Sequence, residues 1–265
     1  MAPSPSGPDL AAVAAVLAEA AGLSFAGPLG PTLQDGLRAA AAEAGAPVEA
    51  LVAAVAFRDP AAVALLLEHV RVGETWFWRL GEGLEAVARR AAVAPRPLSL
   101  WSAGCATGEE AYSLAMALLE AAPDRTSPLV ATDLSARALE AAREGCYGPR
   151  ALRRLTPERV ARWFGPPEPG ARRRVATSLA HRVRFEQQNL VTDPPPAGGP
   201  FDVILARNVV IYFEPAVAER ALRRLADALA PRGALLLGPV ELPLAQGLPL
   251  EPVEEGGVTL LVKDG

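Results

Sequence analysis

The stretch from Trp101 to Glu110 (WSAGCATGEE) decides the fold class of this chain. The short apolar run Leu98–Trp101 leads into it, and apolar residues at helical spacing follow from Glu109 to Ala121. A strand, a glycine-rich turn and a helix in this order are typical of an α/β protein that binds its ligand at the carboxyl ends of parallel strands. The small residues of the turn predict a close approach of that ligand to the backbone, next to the unpaired N–H groups of the helix start.

Two carboxylates, Glu109 and Glu110, follow the turn at the place where a dinucleotide-binding protein holds a pyrophosphate. They would repel phosphate, and the turn lacks the full G-x-G-x-x-G pattern, so a nicotinamide oxidoreductase is disfavoured. The ammonium and sulfonium groups of S-adenosylmethionine (SAM) fit the cationic ligand that these acids favour. The alternative is that both glutamates only stabilise the dipole of the helix start.

Another acidic residue, Asp133, ends the next apolar run, Leu129–Thr132, and a predicted helix from Ser135 to Glu144 follows it. An acid at the end of this strand can accept the hydroxyl groups of a ribose. Asp133 could instead cap the helix, although Ser135 could supply that cap. Acidic residues after two consecutive strands favour the ligand-binding interpretation.

The remaining pattern alternates strands and helices, which predicts a mainly parallel sheet with helices on both faces. A helix from Pro215 to Leu229 separates two of the later strands. The irregular, arginine-rich segment Tyr147–His181 is expected to be an insertion between two strands, and Thr156 and Pro157 predict a helix start within it. The other predicted strands are Val183–Gln187, Phe201–Leu205, Ala234–Leu237 and Val258–Val262.

The N-terminal third lacks strand patterning from about Pro8 to Arg90 and predicts short amphipathic helices. Because proline cannot continue a helix, we expect breaks at Gly27–Pro28, Gly45–Pro47 and Asp59–Pro60. We therefore expect a helical N-terminal domain over residues 1–90. A ligand-binding α/β domain is expected over residues 91–265.

Composition excludes several other classes of protein. The net charge of −4 disfavours a nucleic-acid binder, because such proteins need clustered basic residues. Two cysteines and two histidines provide neither a disulfide framework nor a metal-ligand spacing, so no metal and a reducing cytoplasm are expected. The N-terminal sequence is not typical of a signal peptide, and no apolar run predicts membrane insertion. No sequence feature bears on the oligomeric state.

Two further segments contain candidate site residues. The stretch Phe201–Phe213 (FDVILARNVVIYF) places Arg207 and Asn208 directly after an apolar strand, with Tyr212 one helical turn later. A buried Arg–Asn pair needs partners, so we expect it to serve a site. The aromatic residues of Gly73–Arg79 (GETWFWR) would by themselves more often be core packing.

These segments together resemble the CheR-type chemotaxis methyltransferases, which esterify glutamates on bacterial chemoreceptors. The resemblance covers most of the chain in order and implies SAM as the cofactor and S-adenosylhomocysteine as its product. It also implies a small helical domain followed by a seven-stranded methyltransferase sheet with an inserted β-subdomain at Tyr147–His181. The matching segments are Gly73–Arg79, Trp101–Ser113 (WSAGCATGEEAYS), Ala131–Tyr147, Phe201–Phe213 and, more weakly, Phe185–Leu190 (FEQQNL).

The resemblance implies a role for each matching residue. Thr75 and Arg79 would reach across to the cofactor, and Arg79 would also lie near the reacting centre. Glu110 would hold the methionine amino group and Asp133 the ribose. Tyr212 would lie beside the sulfonium, which makes Arg79 and Tyr212 the candidate catalytic residues. The residues that would line the adenosine and methionine moieties are Asn189, Leu190, Arg207 and Asn208.

Three departures from the family pattern bear mainly on the substrate. Gly73 replaces a usual asparagine, Pro239–Val240 replaces His-Ser in a GHSE-like turn, and Pro31–Gly45 has Arg38 as its one basic residue instead of a basic helix. An acidic helical receptor remains the expected substrate, and we expect it to dock on arginines of the insertion. The alternative is that these arginines only form a solvated charged surface. The alternatives are a methyltransferase acting on a different protein or a small acid, and a non-catalytic SAM-binding signalling module. The insertion arginines are Arg150, Arg153, Arg154, Arg159, Arg162, Arg172, Arg173 and Arg174.

Overall fold

The computed structural model describes residues 7–26, 30–70, 73–124 and 127–265, and the chain forms two compact units. The first unit spans Met1–Val72 together with Val210–Arg220. The second spans Gly73–Val209 together with Ala221–Gly265.

The first unit is helical, as predicted. Its helices end and restart at the expected breaks, because Gly45–Pro47 and Asp59–Pro60 interrupt them. The carboxylate of Asp59 accepts the Ala62 N–H at 2.9 Å and so satisfies a donor at the start of the last helix. The predicted break at Gly27–Pro28 lies outside the described residues. The helices are α1 (Gly7–Ala21), α2 (Gly30–Ala44), α3 (Val48–Ala56) and α4 (Pro60–Val70), with a 3₁₀ helix at Val210–Tyr212.

Within the described residues of the second unit, seven strands form one sheet of order β6-β2-β1-β7-β8-β10-β9. The five neighbouring strands β6-β2-β1-β7-β8 are parallel to one another, and β10 is antiparallel to both β8 and β9. The predicted α/β class with a mainly parallel seven-stranded sheet is confirmed. The strands are β1 (Leu100–Ala103), β2 (Leu129–Asp133), β6 (Val183–Gln187), β7 (Phe201–Ala206), β8 (Leu229–Leu237), β9 (Leu250–Glu255) and β10 (Val258–Lys263).

The insertion contains a second sheet of three antiparallel strands within the described residues, in the order β3-β5-β4. These strands are β3 (Cys146–Tyr147), β4 (Phe164–Glu168) and β5 (Arg172–Val175). Pro166 and Pro167 lie in β4, which is an edge strand of this sheet. Proline has no N–H group to donate to a neighbouring strand, so it is tolerated at such an edge. The same reason places Pro252 in β9, at the edge of the large sheet.

The main helices that the sequence predicted for this part of the chain are present in the structure. The predicted start at Thr156 is confirmed, since its hydroxyl accepts the Arg159 N–H at 3.3 Å. The helices are α5 (Gly81–Val93), α6 (Glu109–Ala121), α7 (Ala136–Glu144), α8 (Pro149–Leu152), α9 (Pro157–Trp163), α10 (Thr177–Ala180) and α11 (Pro215–Asp227), which begins in the first unit.

Packing divides the chain after residue 72, earlier than the sequence-based boundary at residue 90. Helix α5 accounts for the difference, because Leu84 and Val87 belong to the same buried cluster as Leu114 of α6. The division into functional domains over residues 1–90 and 91–265 stays a prediction.

No single helix in the described part of the chain is both long and apolar enough to span a membrane. The helix pair Pro31–Ala44 and Val48–Ala56, bent by 104°, meets the length and composition criteria when the two helices are taken together.

Candidate functional site

The carboxyl ends of four neighbouring parallel strands, β6, β2, β1 and β7, bring most of the predicted site residues to one edge of the sheet. Asp133 ends β2 and is paired in register with Gln187, the last residue of β6. Arg207 follows β7 directly, and the glycine-rich turn follows β1. In open α/β sheets this edge is where ligands bind, so the topology supports the predicted location.

The glycine-rich turn is held against the end of β2 by main-chain hydrogen bonds. The N–H groups of Gly104 and Cys105 both donate to the Thr132 carbonyl, at 2.8 and 2.9 Å. Gly104 has a φ of 76°, and a Cβ there would lie 2.4 Å from Cγ2 of Val209. A side chain at Gly104 is therefore excluded both by the backbone conformation and by the neighbouring loop.

Asp133 has a structural role in addition to its predicted one. Its Oδ2 accepts the Ala106 N–H at 2.8 Å, and its Oδ1 accepts the Ser135 N–H at 2.9 Å. The cap of α7 comes from Ser135 instead, whose hydroxyl accepts the Ala138 N–H at 2.9 Å. A carboxylate has about four acceptor positions, so these bonds are compatible with accepting ribose hydroxyls as well.

Glu110 and Arg207 form a buried ion pair at this edge. The side chain of Glu110 is 15% exposed and that of Arg207 is 2% exposed, and Oε2 of the acid lies 3.5 Å from Nε of the guanidinium. The hydroxyl of Ser102 in β1 donates to Oε1 at 2.8 Å. Burial raises the pKa of Glu110, and the opposite charge of Arg207 is the strongest influence that lowers it.

Arg207 retains donors without acceptors. Its Nη2 donates to the Arg79 carbonyl, whereas Nε and Nη1 are buried and have no hydrogen-bond partner. Burying unsatisfied donors of a charged group costs free energy, so such groups are typical of sites where a ligand supplies the acceptor. An oxygen that carries negative charge or a strong dipole would satisfy these donors.

Asn208 owes its conformation to a residue that the sequence analysis did not identify as part of the site. Glu241 is fully buried, and its carboxylate accepts the N–H groups of Asn208 and Val209 at 2.7 Å each. It also accepts the Gly238 N–H at 2.9 Å. This acid fixes the turn after β7, where Asn208 has a φ of 60°, a value that asparagine adopts more readily than most residues.

Asn189 and Leu190 lie in a tight turn after β6. The side-chain oxygen of Asn189 accepts the Val191 N–H at 2.9 Å, and its own N–H donates to Asp193 Oδ2 at 2.8 Å. Gln188, one residue earlier, donates its N–H to the Asp133 carbonyl at 3.0 Å. The turn therefore begins beside the end of β2, and part of the hydrogen-bonding capacity of Asn189 serves the turn itself.

The aromatic motif Gly73–Arg79 combines core packing with a half-buried charge. Phe77 is fully buried and packs edge-on against Tyr147 and Phe164, with ring centroids 4.8 and 5.1 Å apart. Trp76 stacks with Arg79, whose guanidinium carbon lies 4.6 Å from the ring centroid. The packing role weighed for the aromatic residues thus applies to Phe77, while Trp76 orients Arg79.

Thr75 belongs to the second unit and Tyr212 to the first. Half-buried Thr75 lines a cavity of about 370 Å³ with Thr107, Tyr147 and Arg150. Tyr212 lies in the 3₁₀ helix of the first unit, where its carbonyl accepts the Ser24 N–H at 2.7 Å. The place of the Tyr212 side chain beside a sulfonium stays a prediction.

The residues present at the sheet edge fit SAM, which carries an ammonium group, a carboxylate and a ribose diol. Glu110 is suited to the ammonium, the unpartnered donors of Arg207 to the carboxylate, and Asp133 to the hydroxyls. Glu109 is turned away towards Thr107, whose hydroxyl donates to its Oε2 at 2.6 Å. A mainly parallel seven-stranded sheet with these groups at its carboxyl edge defines the class of SAM-binding α/β methyltransferase folds.

Comparison with known proteins identifies the family. The family model described as "CheR methyltransferase, SAM binding domain" matches residues 74–246. The chain therefore belongs to the CheR methyltransferase family, and SAM is its cofactor.

Individual relatives agree with this assignment. The chemotaxis protein methyltransferase of Klebsiella aerogenes is 38% identical over 170 residues, which are 62% of this chain and 58% of the relative. A Pseudomonas aeruginosa protein named "Probable biofilm formation methyltransferase WspC" is 34% identical over 204 residues, 74% of this chain and 48% of that protein. The chain thus spans only about half the length of these curated relatives.

Among solved structures, magnesium protoporphyrin IX methyltransferase from Synechocystis PCC 6803, with SAM bound, is similar at 15% identity and a TM-score of 0.38. The similarity covers 69% of this chain and 79% of that chain.

Proposed function

We propose that the protein is a SAM-dependent methyltransferase that esterifies glutamate side chains of a chemoreceptor-like signalling protein. The observation that carries this proposal is the buried pair of Glu110 and Arg207, in which Nη1 of the guanidinium has no hydrogen-bond partner and Nε faces the carboxylate at 3.5 Å without a hydrogen bond. This pair suits the zwitterionic amino-acid half of SAM. The similarity to chemotaxis protein methyltransferases supports the class of substrate.

The residues of the site would bind and orient rather than exchange protons. When bound, SAM supplies an electrophilic methyl group on a sulfonium; its transfer to a carboxylate forms the O–CH₃ bond and breaks the S–CH₃ bond, whose electron pair stays on sulfur. A glutamate carboxylate has an ordinary pKa of about 4.3, so it is already ionised near neutral pH and needs no general base. Positioning and exclusion of water then account for the rate.

Arg79 is the residue that we propose to orient the substrate carboxylate. Its guanidinium stacks on Trp76 and donates to the Glu74 carbonyl at 3.1 Å, which restricts its direction. We expect Arg79→Ala to lower kcat roughly tenfold or more while the affinity for S-adenosylhomocysteine changes little, because the lost contact is to the substrate. Arg79→Lys is the matched control and should recover part of the rate. Equal losses of kcat and of cofactor affinity would make Arg79 a cofactor-binding residue.

The docking surface is proposed to lie on the insertion, at Arg153 and Arg154. Both are exposed, and the Arg153 guanidinium lies 4.2 Å from the Trp76 ring on which Arg79 also stacks. Arg172 and Arg173 donate instead to carbonyl groups of Cys146 and Gly165, so reversing their charge would also disturb the insertion. A positive surface beside the proposed carboxylate site suits an acidic helix.

Charge reversal tests this docking surface. We expect Arg153→Glu/Arg154→Glu to slow methylation of the receptor substrate and to weaken its salt dependence, because salt screens long-range attraction between charges. Affinity for S-adenosylhomocysteine should stay as in the wild type. A normal rate with a normal salt response would exclude these two arginines from docking.

Methyl transfer itself is tested with SAM labelled in its methyl group and membranes of the organism that encodes the chain. The proposal predicts label on a receptor-sized band, and brief treatment with base should release that label because carboxyl methyl esters hydrolyse readily. Base-stable label would indicate a different acceptor group. Absence of label, with S-adenosylhomocysteine still bound, would favour a non-catalytic signalling module.

A second candidate acceptor is a receptor outside chemotaxis. The similarity to a protein named for biofilm formation covers 74% of this chain. Arg38, the one basic residue in Pro31–Gly45, pairs with Asp35 on the same helix, which leaves α2 without a strongly basic face. Identification of the labelled band by mass spectrometry distinguishes the two acceptors.

A further inference from the structure

Arg224 of α11 holds the turn that contains Asn189 and Leu190. Its guanidinium donates to the carbonyl oxygens of four consecutive residues, from Leu190 to Asp193. The contacts to Leu190 and Thr192 measure 3.3 and 3.5 Å, and those to Val191 and Asp193 are shorter. One side chain thus serves as donor to four consecutive carbonyl groups of the turn.

The chemistry of these contacts explains why an arginine stands here. The guanidinium has five N–H donors in a rigid planar fork, so two of its nitrogens can serve several acceptors at once. Four convergent carbonyl dipoles also repel one another, and the positive charge of Arg224 offsets that repulsion. A lysine has a single nitrogen and could reach fewer of these oxygens.

The turn is otherwise closed by its own polar side chains. Asp193 accepts the Asn189 N–H, and the Asn189 carbonyl accepts the Asp193 N–H at 2.9 Å. These bonds shape the turn but do not attach it to a helix. Arg224 attaches the turn to α11, whereas the Gln188 N–H links the start of the turn to the end of β2.

We propose that Arg224 is a positioning residue for the adenosine half of the cofactor. It acts through the Asn189–Leu190 turn, which it holds in one conformation before the ligand binds. Without Arg224 the turn must be ordered during binding, and that ordering reduces affinity. The inference rests on the proposed function and on the family resemblance, which counts Asn189 and Leu190 among the residues lining the adenosine and methionine moieties. Their turn begins beside Asp133, the residue predicted to hold the ribose, which favours the adenosine half.

The test is calorimetric titration with two ligands that share adenosine. S-adenosylhomocysteine has both halves of the cofactor, whereas 5′-methylthioadenosine lacks the amino-acid half. We expect Arg224→Gln to weaken both ligands by the same factor, roughly tenfold, because bonds from a charged group are lost. Arg224→Lys should restore part of the affinity for both.

The matched control is Arg220→Gln on the same helix. Arg220 is exposed and donates to the Ala216 carbonyl within α11, so this variant should bind both ligands as the wild type does. Thermal unfolding of each variant checks that binding is measured on folded protein. If Arg224→Gln does not fold, the affinities of Arg224→Lys for the two ligands are compared with those of Arg220→Gln instead.

Each remaining outcome separates the inference from the proposed site. If Arg224→Gln binds both ligands with unchanged affinity while Asp133→Ala binds them more weakly, Arg224 has no positioning role. The assigned site would then be unaffected. A loss for S-adenosylhomocysteine alone would assign the turn to the amino-acid half and contradict the proposal. Unchanged affinity in both Arg224→Gln and Asp133→Ala would overturn the assigned adenosine and ribose site, while the amino-acid half would still be tested at Glu110.

Discussion

The cofactor edge and the insertion use charged residues in opposite ways. At the cofactor edge, defined by residues 104–110, Asp133 and 207–208, charged groups are buried or half-buried and contact each other, hydroxyl groups or main-chain N–H groups. In the insertion, Tyr147–His181, arginines lie on the surface and donate to carbonyl groups of neighbouring strands. Each charged residue at the cofactor edge therefore has a specific partner, which limits the residues that can replace it. Many arginines of the insertion instead stabilise the contacts between its own strands.

The largest effect on stability is expected at Glu241, whose carboxylate accepts main-chain N–H groups of the turn after β7. Glu241→Ala leaves one buried N–H group, of Gly238, and two half-buried ones, of Asn208 and Val209, without their acceptor, at a cost of about 1–3 kcal/mol each before water or rearrangement relieves it. We therefore expect the free energy of unfolding in urea to fall by about 3 kcal/mol or more. The control Glu251→Ala removes an exposed acid and should change it by less than about 0.5 kcal/mol. A similar small change for Glu241→Ala would mean that the turn after β7 does not depend on this carboxylate.

The next effect concerns binding at the cofactor edge. Asp133→Ala should weaken SAM and S-adenosylhomocysteine alike, since both contain the ribose. Loss of hydrogen bonds to a charged group corresponds to about 1.5–3 kcal/mol, or roughly a tenfold to hundredfold rise in Kd. Titration calorimetry with both ligands measures it. Unchanged affinity for either ligand would remove Asp133 from the ribose site.

The smallest effects are expected in the insertion, where two arginines can be compared directly. Arg173→Ala removes a 2.8 Å bond to the Gly165 carbonyl and should lower the free energy of unfolding by about 1 kcal/mol. Arg154→Ala removes an exposed side chain and should change it by less than about 0.5 kcal/mol. Equal changes in the two variants would show that the bond to Gly165 does not stabilise the insertion, which would weaken the contrast between the two regions.

The sequence predicted the parts of the fold that depend on local patterns. The strand, turn and helix from Leu98 to Ala121 and the acid at the end of β2 could be predicted because their chemistry lies within a few neighbouring residues. Strands β4 and β9 were not predicted, because Pro166, Pro167 and Pro252 argue against a strand unless its place at a sheet edge is known. Edge position is a property of the assembled sheet.

The site shows the same limit. Glu110, Asp133 and Arg207 followed from strand ends and from family resemblance, and the structure brings them to one edge. Glu241 and Arg224 act on turns more than 30 residues away in the chain, so no local pattern marks them. The one available signal was the acid that ends LGPVE, at the place of the GHSE-like turn.

The central claim is that Glu110, paired with Arg207, binds the amino-acid half of the cofactor. Calorimetric titration of Glu110→Gln with S-adenosylhomocysteine and with 5′-methylthioadenosine tests it most directly. The substitution keeps the shape of the side chain and removes its charge, so the account predicts at least a roughly tenfold weaker affinity for S-adenosylhomocysteine. The affinity for 5′-methylthioadenosine, which has no ammonium group, should stay as in the wild type. Unchanged affinity for S-adenosylhomocysteine, or an equal loss for both ligands, would contradict the claim.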